Sequence, residues 1–151
     1  MAQEEKSLLL KDLCARLPYG VKLLHIPSGE TTVLEMMNCD AIDGDIHDMI
    51  NNFQPYLRPI SSMTEGEKKE LLCTIVGKDA VKHFQVLSDG SIDNTDAAYQ
   101  DLHNFTMHWI NFDGSNTTSY IDWLNKYHFD YRGLIKKGLA IEVTEDNNPY
   151  K

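Results

Sequence analysis

Basic residues are scarce in this chain. Fourteen Lys and Arg stand against 23 Asp and Glu, a formal net charge of −9. Binding to a phosphate backbone needs a basic face, so a nucleic-acid module is disfavoured. The one close basic pair in the C-terminal third is Lys136-Lys137. Cysteine is nearly as sparse: Cys14, Cys39 and Cys73 are odd in number and form no CxxC. That excludes a disulfide framework and a cysteine-rich zinc site. Long apolar runs are missing. Met1 to Lys6 is acidic and Leu8-Leu9-Leu10 is too short for a signal core or a membrane span, so a cytoplasmic protein with no membrane partner is expected. There is no HExxH, no GxSxG, no GxGxxG and no GxxxxGK[ST], which removes the zinc-protease helix, the hydrolase elbow and the phosphate loops.

What is present describes an ordinary folded protein. The chain has 151 residues, 42% hydrophobic and 25% charged, which suits one domain with a real core. Glu4 to Arg16 reads as a helix with Leu9, Leu13 and Leu17 on one side, joined by Leu10 and Cys14, and ended by Pro18. Val21 to Ile26 and Thr32 to Met37 read as a hairpin about Pro27-Ser28-Gly29. Asp40 to Asp48 is an acidic loop. Gln54 to Ser62, with Pro55 and Pro59, reads as an extended connector, so that two lobes in contact would span 1–58 and 63–151. Thr64-Glu65-Gly66-Glu67 is a capping box opening a helix that runs to about Val76. Val81 to Leu87 reads as a strand closed by Asp89-Gly90. Thr95 or Asp96 caps a helix to about Asn104, and Met107 to Phe112 is a strand.

The segment Ser119 to Val143 carries the densest signals. Ser119 to His128 has helical spacing, Tyr131 to Lys137 reads as a second short helix stopped by Gly138, and Leu139 to Val143 alternates as a strand. The pattern as a whole predicts an α+β single domain with short, mostly antiparallel strands and four to five helices. It leaves open whether the N-terminal strands close into a small barrel.

Candidate sites are few. Asp101, His103 and His108 have ligand chemistry, but spacing fixes no third ligand, so neither metal nor cofactor is expected. Asn111, Asp113, Ser115, Thr117, Ser119 and Asp122 fall at calcium-loop spacing, with Asn116 where that loop needs glycine. Cys14 and Cys73 sit among leucines, where cysteine is usually a small buried hydrophobe. The polar group that stands out is His128-Phe129-Asp130-Tyr131-Arg132-Gly133, beside Trp123. Asp130 is placed to cap the short helix. Arg132 lies in its first turn, where a cation is badly placed for the helix dipole and calls for a partner: Asp130, Asp122 or a bound anion. Trp123, His128, Asp130 and Arg132 are therefore the candidate ligand or ion-pair site.

Three blocks taken together resemble a known family: LLLKDLCARLPYGVKL (Leu8 to Leu23), PYLRPISSMTEGEKKELL (Pro55 to Leu72) and DWLNKYHFDYRGLIKKGLAIE (Asp122 to Glu142). The set resembles small proteins of no assigned activity encoded by gut anaerobes and their prophages. The resemblance implies a context of phage and mobile elements, and no catalytic residue. Together with the composition it leads to an expectation: a non-catalytic interaction or accessory protein whose partner is another protein. The alternative is a small enzyme or metal-binding protein using residues 101–108 or 128–132.

Overall fold

Leu9, Asp12, Leu13 and Arg16 fall at i, i+3, i+4 and i+7, the spacing that puts four side chains on one stripe of a helix. In the computed structural model, which describes residues 1–34, 50–78, 81–94 and 115–151, these four are the buried residues of helix α1 (Gln3–Arg16). At its start the Ala2 backbone N–H donates to Glu5 Oε2 at 2.7 Å. The helix ends before Pro18, as expected, and Leu17–Tyr19 is one turn of 3₁₀ helix closed by Gly20 in a left-handed conformation.

The expected hairpin forms from β1 (Lys22–His25) and β2 (Thr31–Val33), antiparallel, with Leu23 opposite Thr32. The segment expected to be a connector is instead the middle of a sheet. β3 (Phe53–Leu57) pairs antiparallel with β1 and parallel with β6 (Ile141–Glu142), giving the order β2-β1-β3-β6. Pro55 is tolerated there for a reason of parity. The Ile26 N–H donates to the Asn52 carbonyl at 2.8 Å, so 26–52 and 24–54 are hydrogen-bonded pairs and Pro55, opposite Leu23, turns its nitrogen away from β1. On its other side the parallel pairing begins only at Tyr56, so β1 asks no donor of the proline ring and β6 begins beyond it.

The chain divides into two compact units, 1–59 with 125–151, and 60–124, the division falling within α3 (Ser115–Lys126). The first unit buries Leu9, Leu13, Val21, Leu23, Leu34, Ile50, Leu57, Leu134, Leu139 and Ala140 around the four-stranded sheet. In the second, α2 (Glu65–Val76) opens on the expected box. The Glu67 N–H donates to Thr64 Oγ1 at 3.3 Å, and the Thr64 N–H donates to Glu67 Oε2 at 2.8 Å. Val81–His83 is a 3₁₀ turn, and the strand expected to begin at Val81 is β4 (Phe84–Val86), paired antiparallel with β5 (Ile92–Asn94), a strand the sequence pattern did not suggest. Between them Asp89 Oδ1 accepts from the Ser91 N–H and hydroxyl at 2.9 and 2.6 Å, which holds the Asp89 carboxyl below its usual pKa. Gly90 (φ 86°) also has a packing reason: a Cβ there would meet Ile60 Cγ2 at 3.0 Å. The architecture is α+β, with mostly antiparallel strands, as the pattern predicts.

The second short helix expected over Tyr131 to Lys137 is a run of turns. Gly133 has φ 70°, outside the helical region, and interrupts it after one residue pair. Cys14 is exposed on the outer face of α1, and Cys73 is half-buried on α2, so neither is the buried hydrophobe expected. Asp40 to Asp48, the helix from Thr95 or Asp96, and the strand Met107 to Phe112 lie outside the described residues.

Candidate anion-binding site

Two of the four inward positions of α1 are charged. Leu9 and Leu13 behave as core leucines, each contributing about 1.5–3 kcal/mol when fully buried, whereas burying an ion carries a penalty of several kcal/mol unless it is paired. Asp12 and Arg16 are both 0% exposed, and one helical turn places them together. Arg16 Nε donates to Asp12 Oδ2 at 2.6 Å and Nη2 donates to Oδ1 at 3.1 Å, a two-point pairing. Nη2 also donates to the Phe129 carbonyl at 2.7 Å. These three bonds use Nε and Nη2. The two hydrogens of Nη1 are sealed from solvent and have no acceptor.

The segment that meets α1 is 125–135, and its shape follows from two local features. After α3, His128 adopts φ 59°, a left-handed conformation that histidine tolerates better than most residues, and its N–H donates to the Asn125 carbonyl at 3.1 Å. The Arg58 N–H donates to the His128 carbonyl at 2.9 Å and the Asp130 N–H to the Arg58 carbonyl at 2.8 Å, fixing Phe129 beside β3. Asp130 then behaves as a cap, as its position predicts, though of a turn. Its Oδ1 accepts from the Leu134 N–H at 2.8 Å and its Oδ2 from the Ile135 N–H at 2.9 Å.

Arg132 is not partnered by Asp130 or Asp122. Its Nε lies 3.3 Å from Asp12 Oδ1, a residue 120 positions earlier in the chain. The Tyr131 ring lies beneath both guanidiniums, its centroid 5.6 Å from Arg16 Cζ and 4.9 Å from Arg132 Cζ. The Tyr131 hydroxyl is sealed from solvent and has no hydrogen-bond partner. Arg132, with 28% of its side chain exposed, forms the edge of the cluster.

His128 stacks on Tyr150, ring centroids 4.4 Å apart. Tyr150 Oη donates to the Tyr56 carbonyl at 2.8 Å and accepts from the Lys22 N–H at 3.2 Å, which ties the C-terminus to the sheet. Burial pushes the Tyr150 hydroxyl up to about 12. Burial, helped by the Arg16 and Arg58 charges, holds His128 down at about 4, so it is neutral at physiological pH. Its Nδ1 is buried without a partner.

Counted at neutral pH, the cluster sets two cations, Arg16 and Arg132, against one anion, Asp12. Arg58 adds to the positive field, with its guanidinium 4.3 Å from the Phe129 ring centroid. What such an arrangement can do is hold an anion. It can do little acid–base chemistry, because guanidiniums do not deprotonate and Asp12 is engaged by both arginines.

Of the residues expected at the site, His128, Asp130 and Arg132 are neighbours in the first unit. Trp123 belongs to the second unit, where it is 5% exposed and its Nε1–H donates to Glu70 Oε1 at 3.1 Å. Asp12 and Arg16 were missed, and Tyr131 was named only as part of the segment 128–133, with no role of its own. The leucines at 9, 13 and 17 draw the eye along α1, yet Asp12 and Arg16 share the stripe of Leu9 and Leu13 and stand at i, i+4. That signal was available. Asp101, His103 and His108 lie outside the described residues, among which no group of three His, Cys, Asp or Glu could hold a metal. Thr117, Ser119 and Asp122 are on α3, a geometry that cannot wrap a calcium ion as a loop does. No described helix is long and apolar enough to cross a membrane. No family model, curated protein or solved structure matches this chain.

Proposed function

We propose that the protein is a non-catalytic interaction protein, an accessory factor of a phage or mobile element, whose first unit takes an anionic group of its partner at Arg16, Tyr131 and Arg132. The observation that carries this is Arg16 Nη1: two hydrogens of a fully buried, permanently charged group with no acceptor. Leaving a buried donor unsatisfied costs about 1–3 kcal/mol, and more when it is charged, so such a group calls for an acceptor from outside the fold: a water, an ion or a ligand. Binding fits better than catalysis because the carboxylates are already committed, Asp12 to the arginines and Asp130 to two backbone N–H groups. The test is a titration of the intact chain with acetate and with inorganic phosphate, following the side-chain ¹H–¹⁵N signals of Arg16 and Arg132. Saturable shifts with at least one anion are expected. Signals that ignore both would remove the proposal.

A further inference from the structure

Beyond the pair Leu23–Pro55 on the β1–β3 ladder, the next facing residues are Lys22 and Tyr56. They share the parity of the bonded pairs 24–54 and 26–52, so the Lys22 N–H and the Tyr56 carbonyl point toward each other. The register nevertheless stops at Leu23–Pro55. The Tyr150 hydroxyl stands in the gap, accepting from the Lys22 N–H at 3.2 Å and donating to the Tyr56 carbonyl at 2.8 Å. A side chain has taken the place of a ladder bond.

We propose that the segment 144–151 is a strap with two positions, latched by Tyr150 in this gap and against the His128 ring, and released when His128 takes up a proton. Its anchoring is narrow. The Thr144 N–H donates to Asn147 Oδ1, Asn147 Nδ2 to the Glu142 carbonyl, the Tyr150 N–H to Asn148 Oδ1 and Lys151 Nζ to the Glu145 carbonyl, all within 142–151. Residues 144–147 are exposed. The bonds that reach β1 and β3 are those of the Tyr150 hydroxyl. Release also strands no backbone group, because the Lys22 N–H and the Tyr56 carbonyl face each other and can close directly. The latched position, in contrast, carries a cost. Tyr150 covers the His128 ring at 4.4 Å between centroids, with 13° between the planes, and His128 Nδ1 is buried without a partner. Opening the stack gives that nitrogen to water.

The coupling to protons follows from what surrounds the ring. Arg16 on α1 and Arg58 beyond β3 are cations, and Tyr150 on the strap is a neutral phenol at about 12. Asp12 is engaged by Arg16, and Asp130 by two backbone N–H groups. Burial first, then the two arginines, holds the latched His128 down at about 4. The arginines stay in both positions, but release lifts the burial. The released form therefore binds the proton more tightly, and protons favour release. The strap is latched above about pH 6.5 and loosens as pH falls toward 4. Each pKa unit regained on release multiplies the released share about tenfold in acid.

The experiment is an NMR pH titration of the intact chain and of Tyr150→Ala. In the parent, the amide signals of 144–151 are expected to move toward those of an unstructured chain in step with the His128 ring. The amides of 22–25 and 53–57 are expected to stay dispersed over the same range. Tyr150→Ala frees the strap at every pH; it is expected to keep the sheet and to raise the His128 pKa by about one unit or more. Strap signals that stay in place while His128 titrates would overturn the proposal, as would a His128 that titrates alike in both chains. Sheet and strap signals lost together, or a Tyr150→Ala chain that does not fold, would show the segment to be a fixed part of the fold and overturn it too.

Discussion

The two units of this chain treat charge in opposite ways. Among its described residues the second keeps it outside. Its helix α2 is capped by the exposed Thr64–Glu67 pair, Lys68 meets Glu65 at 2.6 Å on the surface, and Leu71, Leu72, Ile75, Phe84 and Val86 make an apolar interior. The first places an aspartate and an arginine, both 0% exposed, on the stripe of α1 that also carries Leu9 and Leu13. Both units combine helix and strand, so burying ions is no requirement of the fold class. A buried pair is often no more stabilising than well-packed apolar side chains of the same volume. The first unit therefore keeps something that stability alone does not demand, and Arg16 Nη1 and Tyr131 Oη point to recognition.

The contrast is broken most forcefully at Asp12. Asp12→Ala strands Arg16 in the interior without its carboxylate and should cost about 3–5 kcal/mol in denaturant unfolding. In the second unit, where the described charges lie on the surface, Glu65→Ala should change stability by no more than about 0.5 kcal/mol. Equal losses at the two positions would erase the distinction.

Acid should separate the units next. His128 titrates at about 4 in the folded protein, below its ordinary value of 6.5. The unfolded chain therefore binds the proton first, and the stabilisation from this group is complete above about pH 6.5 and lost as pH falls toward 4. The loss is on the order of 3 kcal/mol. His128→Asn keeps a residue that accepts positive φ and removes the titration. Its stability should be flatter over that window, as followed by unfolding midpoints at successive pH values. A parent and variant with parallel pH curves would assign the acid sensitivity elsewhere.

Smaller effects sharpen the wiring. Asp130→Ala should cost about 1–2 kcal/mol, since two backbone N–H groups lose their acceptor. Because Arg132 faces Asp12 and not Asp130, the Asp130→Ala and Arg132→Ala losses should add, while Asp12→Ala and Arg132→Ala should couple. A coupling of Asp130 with Arg132 in a double-mutant cycle would restore the ion pair that their spacing suggests. The smallest effect belongs to the second unit, where Thr64→Ala should cost about 1 kcal/mol.

How much of this could be seen in the sequence depended on the range of the interactions. Helix α1, the β1–β2 hairpin and the Thr64 box are set by contacts within a few residues, and they were legible. β3 was not, because two prolines read as a connector; only the pairing parity with β1, set by partners some thirty residues away, makes Pro55 acceptable in a central strand. The turn at 131–138 was half legible. Asp130 caps, as its position suggests, but Gly133 at positive φ and the Leu139 N–H donating to the Leu134 carbonyl at 2.9 Å replace the helix with turns. At the candidate site, Arg132 announced the need of a partner, and the partner it found lies on α1. Spacing along one segment cannot reveal that. Asp12 and Arg16 could have been found by asking which charges share the stripe of the leucines.

Tyr131 and Arg16 carry polar groups to which no described residue of the fold bonds. Equilibrium unfolding of Tyr131→Phe, measured in a buffer free of carboxylates, tests this with one number. A sealed hydroxyl with no partner costs desolvation and gives nothing back, so the variant is predicted to be as stable as the parent or more so. A loss of about 1 kcal/mol or more, the usual worth of a hydrogen bond within a fold, would show the hydroxyl to be engaged in holding the structure. It would contradict the reading of this cluster as a site made for a ligand.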